Sequence, residues 1–154
     1  MKTLKNFSLV FILGLWAHIG CAQDQEEVKW HTNFNEALTE AKAEHKPILI
    51  SFAGSDWCKP CIKLSKEVFD DSKFKDYAKE NLVLMLADFP RLRKNQPDKD
   101  QIKANEALAA KYNKAGSFPL VVLIDSDEHV ITQTGYQAGG SDNFISFLEK
   151  ATEK

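Results

Sequence analysis

The chain has 154 residues, 44% hydrophobic and 27% charged, which suits one domain with a real core and argues against a disordered chain. Lysine and arginine number 20 against 22 acids, a formal net charge of −2 that excludes a basic footprint for nucleic acid or an anionic membrane surface. Three cysteines are too few for a disulfide scaffold.

The first 22 residues stand apart from the rest of the chain. Lys2 and Lys5 give a positive start, "FSLVFILGLWA" (7–17) an apolar block, and "HIGCAQ" small residues before the acidic "DQEE". This is the layout of a secretory signal, shorter than a comfortable membrane span. Gly20-x-Ala22 fits a small-x-small cleavage site that releases a chain starting at Gln23. Cys21, preceded by Gly20, is alternatively the lipid-bearing cysteine of a bacterial lipoprotein, although His18 stands where such boxes usually carry Leu. Residues 23–29 then read as a short linker and 30–154 as the domain.

"NFNEALTEAKAEHKP" places Phe34, Leu38 and Ala41 at helical spacing, with Pro47 marking the end. "PILISF" reads as a buried strand. The pair "CKPC" comes next, and "CIKLSKEVF" resumes a helical pattern with Ile62, Leu64 and Val68. A short helix is expected around "SKFKDYAKE" and a second apolar strand over 81–89, ended by Pro90. "PRLRKNQPDKDQ" (90–101) mixes both signs of charge and reads as a loop or the ragged start of a helix; Asp98 and Asp100 interrupt any basic patch, so a solvated loop is preferred. A helix comes after it, with Ile102, Leu108 and Tyr112 near one face and Gly116 as a stop. "FPLVVLID" and "HVITQTGY" are β-rich runs separated by "SDE", which predicts an antiparallel hairpin. The closing "SDNFISFLEKA" reads as a helix capped by Ser141 or Asp142, with Phe144, Ile145, Phe147 and Leu148 turned inward. Strands joined through helices predict an α/β fold: a central mixed sheet flanked by helices on both faces.

Cys58 and Cys61 invite three readings. Zinc requires three or four protein ligands, and His31, His45 and His129 lie on different elements without ligand spacing; all three read as surface or cap histidines, so no metal site is assigned. A structural staple over so short a loop is worth only about 2 kcal/mol on the chain-entropy model. A redox dithiol explains more of the residues. Cys58 follows a strand and starts a helix, where first-turn amides and the positive helix end favour a thiolate. Cys61 lies one turn on, within reach of a disulfide. Lys59 adds a nearby positive charge, Pro60 suits a first helical turn, and Trp57 gives the reactive sulfur an apolar shoulder.

"ILISFAGSDWCKPC", the later "GSFPLVVLID" and "TGY…GG" before the last helix resemble the thioredoxin superfamily, specifically its exported bacterial members of the "FxGSDWCxxC…DFP…FP" type. The resemblance covers residues 30–150. It implies a thioredoxin-like fold, Cys58 as nucleophile, Cys61 as resolving cysteine, and Trp57 as the aromatic before the pair. It also implies a cis peptide at Phe118-Pro119, facing the dithiol and helping to hold an extended substrate segment. Two departures stand out. Ser51 occupies the position where thioredoxins bury an aspartate that helps move the second cysteine's proton, with Asp56 nearby in sequence but not an evident substitute. "KP" replaces thioredoxin's "GP" between the cysteines, and that pair tunes the potential.

The function expected is thiol–disulfide oxidoreduction on exported proteins, reductase or isomerase rather than oxidase, by a monomer needing no cofactor. The site lies in the periplasm, or at the membrane if Cys21 is lipidated, and a membrane electron donor fits the role. Two alternatives remain open at this point: a thioredoxin-shaped binding module with a permanently closed disulfide, and a dedicated relay serving one client.

Overall fold

The apolar run Ile48–Ala53 forms the central strand of a five-stranded sheet, and alternate side chains leave it on opposite faces. The computed structural model describes residues 27–153. The expected signal segment 1–22, Cys21 with it, and most of the expected linker lie outside the described residues. In chain order the elements are β1 (Trp30–His31), α1 (Phe34–Glu44), β2 (Ile48–Ala53), α2 (Lys59–Leu64), a π-helical turn (Ser65–Phe69), α3 (Ser72–Asn81) and β3 (Val83–Asp88). A 3-10 turn (Arg93–Asn95), α4 (Lys99–Tyr112), β4 (Leu120–Ile124), β5 (Val130–Thr134) and α5 (Gly140–Thr152) complete it.

The sheet order is β1-β3-β2-β4-β5. β1, β3 and β2 run parallel, β4 is antiparallel to β2, and β5 is antiparallel to β4, so the predicted hairpin is present. One face carries Ile48, Ile50 and Phe52 with Val122 and Ile124, covered by Ala37 and Ala41 of α1 and Leu108 and Tyr112 of α4. The other carries Leu49, Leu84, Val121 and Leu123, covered by Leu64, by Val68 and Phe69 of the π turn, and by α3 and α5. Helices on both faces of a mixed sheet match the expected fold.

Local chemistry sets the helix boundaries. The Asn33 side chain accepts the Asn35 N–H and starts α1, which ends at His45 in the left-handed region. Asp98 accepts the N–H groups of Asp100 and Gln101, so α4 starts at Lys99 and the expected 90–101 loop is shorter by three residues.

Four expectations need correction. β1 was not predicted; a two-residue strand carries no periodicity. α5 begins at Gly140 after Gly139, so neither Ser141 nor Asp142 is its cap: Ser141 is buried inside the first turn, and Asp142 pairs with Lys73 at 2.7 Å. Ile62 is 36% exposed, because α2 turns only Cys61 and Leu64 inward. His31 is no surface histidine: it is 3% exposed on β1, with Nε2 against Glu40 at 3.0 Å. His45 is a helix cap and His129 is exposed, as expected.

Candidate active site

The site forms where parallel β2 and β3 end side by side. β2 hands the chain to α2 through Gly54–Cys58, and β3 hands it to the loop beginning Phe89-Pro90. Cys58 is the N-cap of α2, in extended backbone, and Cys61 N–H donates to Cys58 Sγ at 3.3 Å. Lys59 and Pro60 occupy the first helical turn and are exposed. The two sulfurs are joined in a disulfide, with the cysteines 4% and 5% exposed. This spacing places Cys61 one turn beyond Cys58 with both sulfurs on the same side, the arrangement a reversible bridge requires.

Trp57 is half-buried. Its indole N–H donates to the Phe89 carbonyl at 2.8 Å, and its ring meets Phe118 edge-on at 5.4 Å between centroids. Phe89 also meets Phe118 edge-on at 5.4 Å, which makes an aromatic trio beside the dithiol. The indole lies so close to Gly54 that a Cβ there would fall 2.3 Å from it, so only glycine fits. The Phe118-Pro119 peptide is cis, as the resemblance implied. Asn113 fixes the approach to it, accepting the Ser117 N–H and donating to the Ser117 carbonyl, both at 2.9 Å.

Beneath α2 lies a cavity of about 430 Å³, bounded by Ser51, Cys61, Ser65, Phe69, Leu86 and Pro119. Ser51 is 3% exposed and sits opposite Leu86 in the β2–β3 register. Lys66 and Asp70 also line this cavity, and Asp88, the carboxylate of β3, is bonded to Ser55. The Asp56 carboxylate is turned to the β3 loop: it accepts the N–H groups of Arg91 and Leu92, both at 2.9 Å, and the Asn95 side chain at 3.0 Å. These bonds, the Arg91 backbone N–H first among them, hold its carboxyl below the ordinary value. Asp88 in turn accepts the Ser55 N–H at 2.9 Å and its hydroxyl at 2.5 Å.

Sequence reasoning brought Trp57, Cys58, Cys61, Phe118 and Pro119 to one place, and the structure gathers them there. It missed the roles of Gly54, Asp88 and Arg91 and the bonds of Asp56 to the β3 loop, although it rightly declined to make Asp56 the substitute acid. The Arg91 guanidinium lies 3.9 Å over the Trp57 ring, although its segment read as merely solvated. The signal was topological: consecutive strands that pair in parallel must bring their following loops together.

A family model, Thioredox_DsbH, described as "Protein of unknown function, DUF255", matches residues 21–153. The disulfide bond reductase DsbH of Chlamydia pneumoniae is 36% identical over 124 residues, which span 80% of this chain and 72% of that one. The thioredoxin-related protein DsbJ of the same organism is 31% identical over 114 residues, 73% of this chain and 32% of its own length. A solved structure described as DsbH oxidoreductase superposes with a TM-score of 0.77 at 30% identity, covering 98% of this chain and 95% of that one. Together with the bonded Cys58–Cys61 pair at the start of α2, these matches show that the chain belongs to the Thioredox_DsbH family of the thioredoxin superfamily and is a thiol–disulfide oxidoreductase.

Proposed function

We propose that the chain reduces or isomerises disulfides of exported proteins, with Cys58 as nucleophile and Cys61 as resolving cysteine. The observation that carries this reading is the Cys61 N–H directed at Cys58 Sγ from the first turn of α2. Once the bridge is opened, that N–H and the positive helix end favour a thiolate on Cys58. The thiolate attacks one sulfur of a client disulfide; the new S–S bond forms as the client's breaks, and the other client sulfur leaves as thiolate. Cys61 then gives up its proton and attacks Cys58 Sγ. The second client sulfur leaves and takes up a proton, so the client gains two electrons and the enzyme loses two. A membrane electron donor would return the pair to the dithiol. Exchange of this kind calls for no metal or organic cofactor.

The reductase direction is supported by the name of the Chlamydia pneumoniae relative, a disulfide bond reductase. Residues 1–22 would direct export and 30–154 would act in the periplasm as a monomer, anchored at the membrane if Cys21 carries lipid. No helix among the described residues is long and apolar enough to cross a membrane. Phe118 and Pro119 would hold the client segment against the dithiol, with Trp57 beside it, Lys59 adding positive charge and Pro60 setting the first turn.

Cys61→Ala provides the test. The variant should accumulate covalent adducts with exported proteins through Cys58, released by dithiothreitol. A variant that forms no adduct, together with a wild-type bridge that resists physiological thiol donors, would leave only a closed binding module.

A further inference from the structure

The loop after β3 carries three cations in four residues, Arg91, Arg93 and Lys94, all exposed, on a chain that is acidic overall. The two acids closest to it along the paired strands are already engaged by hydrogen bonds. Asp56 is engaged by two backbone N–H groups of the loop and by Asn95, and Asp88 by Ser55 and the Phe89 N–H. The same bonds fix the backbone at Arg91, so its side chain departs from a held point.

That side chain is oriented as well. Its guanidinium lies 3.9 Å over Trp57, and Trp57 is itself fixed by its bond to the Phe89 carbonyl and its edge contact with Phe118. A guanidinium held over an aromatic face by its central carbon keeps N–H groups for a carboxylate partner. Among the described residues no carboxylate forms a salt bridge with Arg91. Arg91 is therefore a preorganised, unpaired anion-binding fork, resting on the residue that immediately precedes Cys58.

We propose that Arg91 is a specificity-determining residue: it binds a carboxylate side chain in the client segment flanking the disulfide, so clients with acidic residues beside their cysteines react fastest. The Trp57 face and the Asp56 clamp hold the fork before the client arrives, which lowers the ordering cost of binding. This rests on the oxidoreductase role of Cys58 proposed above.

The test uses the full mature protein, reduced, and three peptide disulfides that differ only in one residue next to a cysteine: Glu, Gln or Lys. The quantity read is the ratio of second-order exchange rates within each protein variant. A change in Cys58 thiolate content scales all three peptides together and cancels. In wild type the Glu peptide should outpace the Lys peptide about 10-fold at low salt, a preference that shrinks steadily as ionic strength rises and is small where the screening length has fallen to about 3 Å. R91Q should bring the ratio near one, and R91K should retain part of it, because the charge survives without the fork. Equal rates for the three peptides in wild type, a preference insensitive to salt, or an undiminished ratio in R91Q would each overturn the assignment while leaving the exchange chemistry intact. No exchange with any peptide would instead overturn the role of Cys58, and the Arg91 proposal with it.

Discussion

The two faces of β2 are built differently. Toward α1 and α4 it presents Ile48, Ile50 and Phe52, all fully buried in a core continuous with Val122, Ile124 and Tyr112. Toward α2 it presents Leu49, then Ser51, then Ala53, so side-chain volume falls away as the strand approaches the dithiol, and the cavity opens there. One face is filled and the other is hollow beneath the catalytic helix. Close packing stabilises a core by dispersion and by exclusion of water, and each missing group on the hollow face gives up part of that. Stability and exchange chemistry thus draw on opposite sides of a single strand.

Substitutions can break or sharpen this contrast. The largest effect belongs to the filled face. Phe52→Ala should cost about 3–5 kcal/mol in a urea titration, because removing a fully buried ring leaves a cavity that the core fills only in part. A loss below that range would mean the filled face is looser than it looks.

Ser51→Asp probes the hollow face. Burial of the new carboxyl should cost about 1–3 kcal/mol while it is neutral. Because burial disfavours its ionised form, its folded-state pKa lies above the unfolded value of about 3.9. The unfolded chain then releases the proton first, so the penalty grows as pH rises from about 4 until the folded pKa is passed, and then levels off. A penalty that stays flat from pH 4 to pH 8 would show that the cavity hydrates an acid as well as water does.

Asp56→Asn should have the smallest effect. The folded-state pKa of Asp56 is depressed, so its contribution is fully present above the ordinary value of 3.8 and is lost as pH falls through the lowered one. The melting-temperature gap between wild type and variant should be open at pH 7 and close under acid conditions. A gap independent of pH would assign the clamp to geometry rather than charge.

Legibility followed the range of the signal. α4 and β2 could be read from the sequence because an apolar period or run of several residues repeats one message. The Cys58–Cys61 pair was legible because three residues contain its whole logic: a cap position, a proline-tolerant turn and a sulfur one turn away. β1 was invisible, since its two residues gain strand character only by pairing Trp30 and His31 with Leu84 and Met85 of β3. The same pairing explains His31, whose burial depends on the sheet edge and on Glu40 of α1. Lys99 and Asp100 open α4 with charge instead of an apolar stripe, so the sequence left open where the loop gives way to the helix. Arg91 over Trp57 joins positions separated by two helices and a strand, and no local pattern encodes it. The missing acid at Ser51 could be noticed in the sequence, but the space it leaves could not.

The π-helical turn at Ser65–Phe69, where the Asp70 N–H reaches back five residues to the Ser65 carbonyl at 2.8 Å, has a separate effect. One extra residue in a turn shifts the angular phase of everything after it by about 100°. The sulfurs before the turn and the anchoring pair Val68 and Phe69 at its end therefore answer to different phases of one continuous rod. An evolving lineage can exchange the residues between the cysteines, and retune the potential, without re-aiming the aromatic ring that fastens the far end to the core.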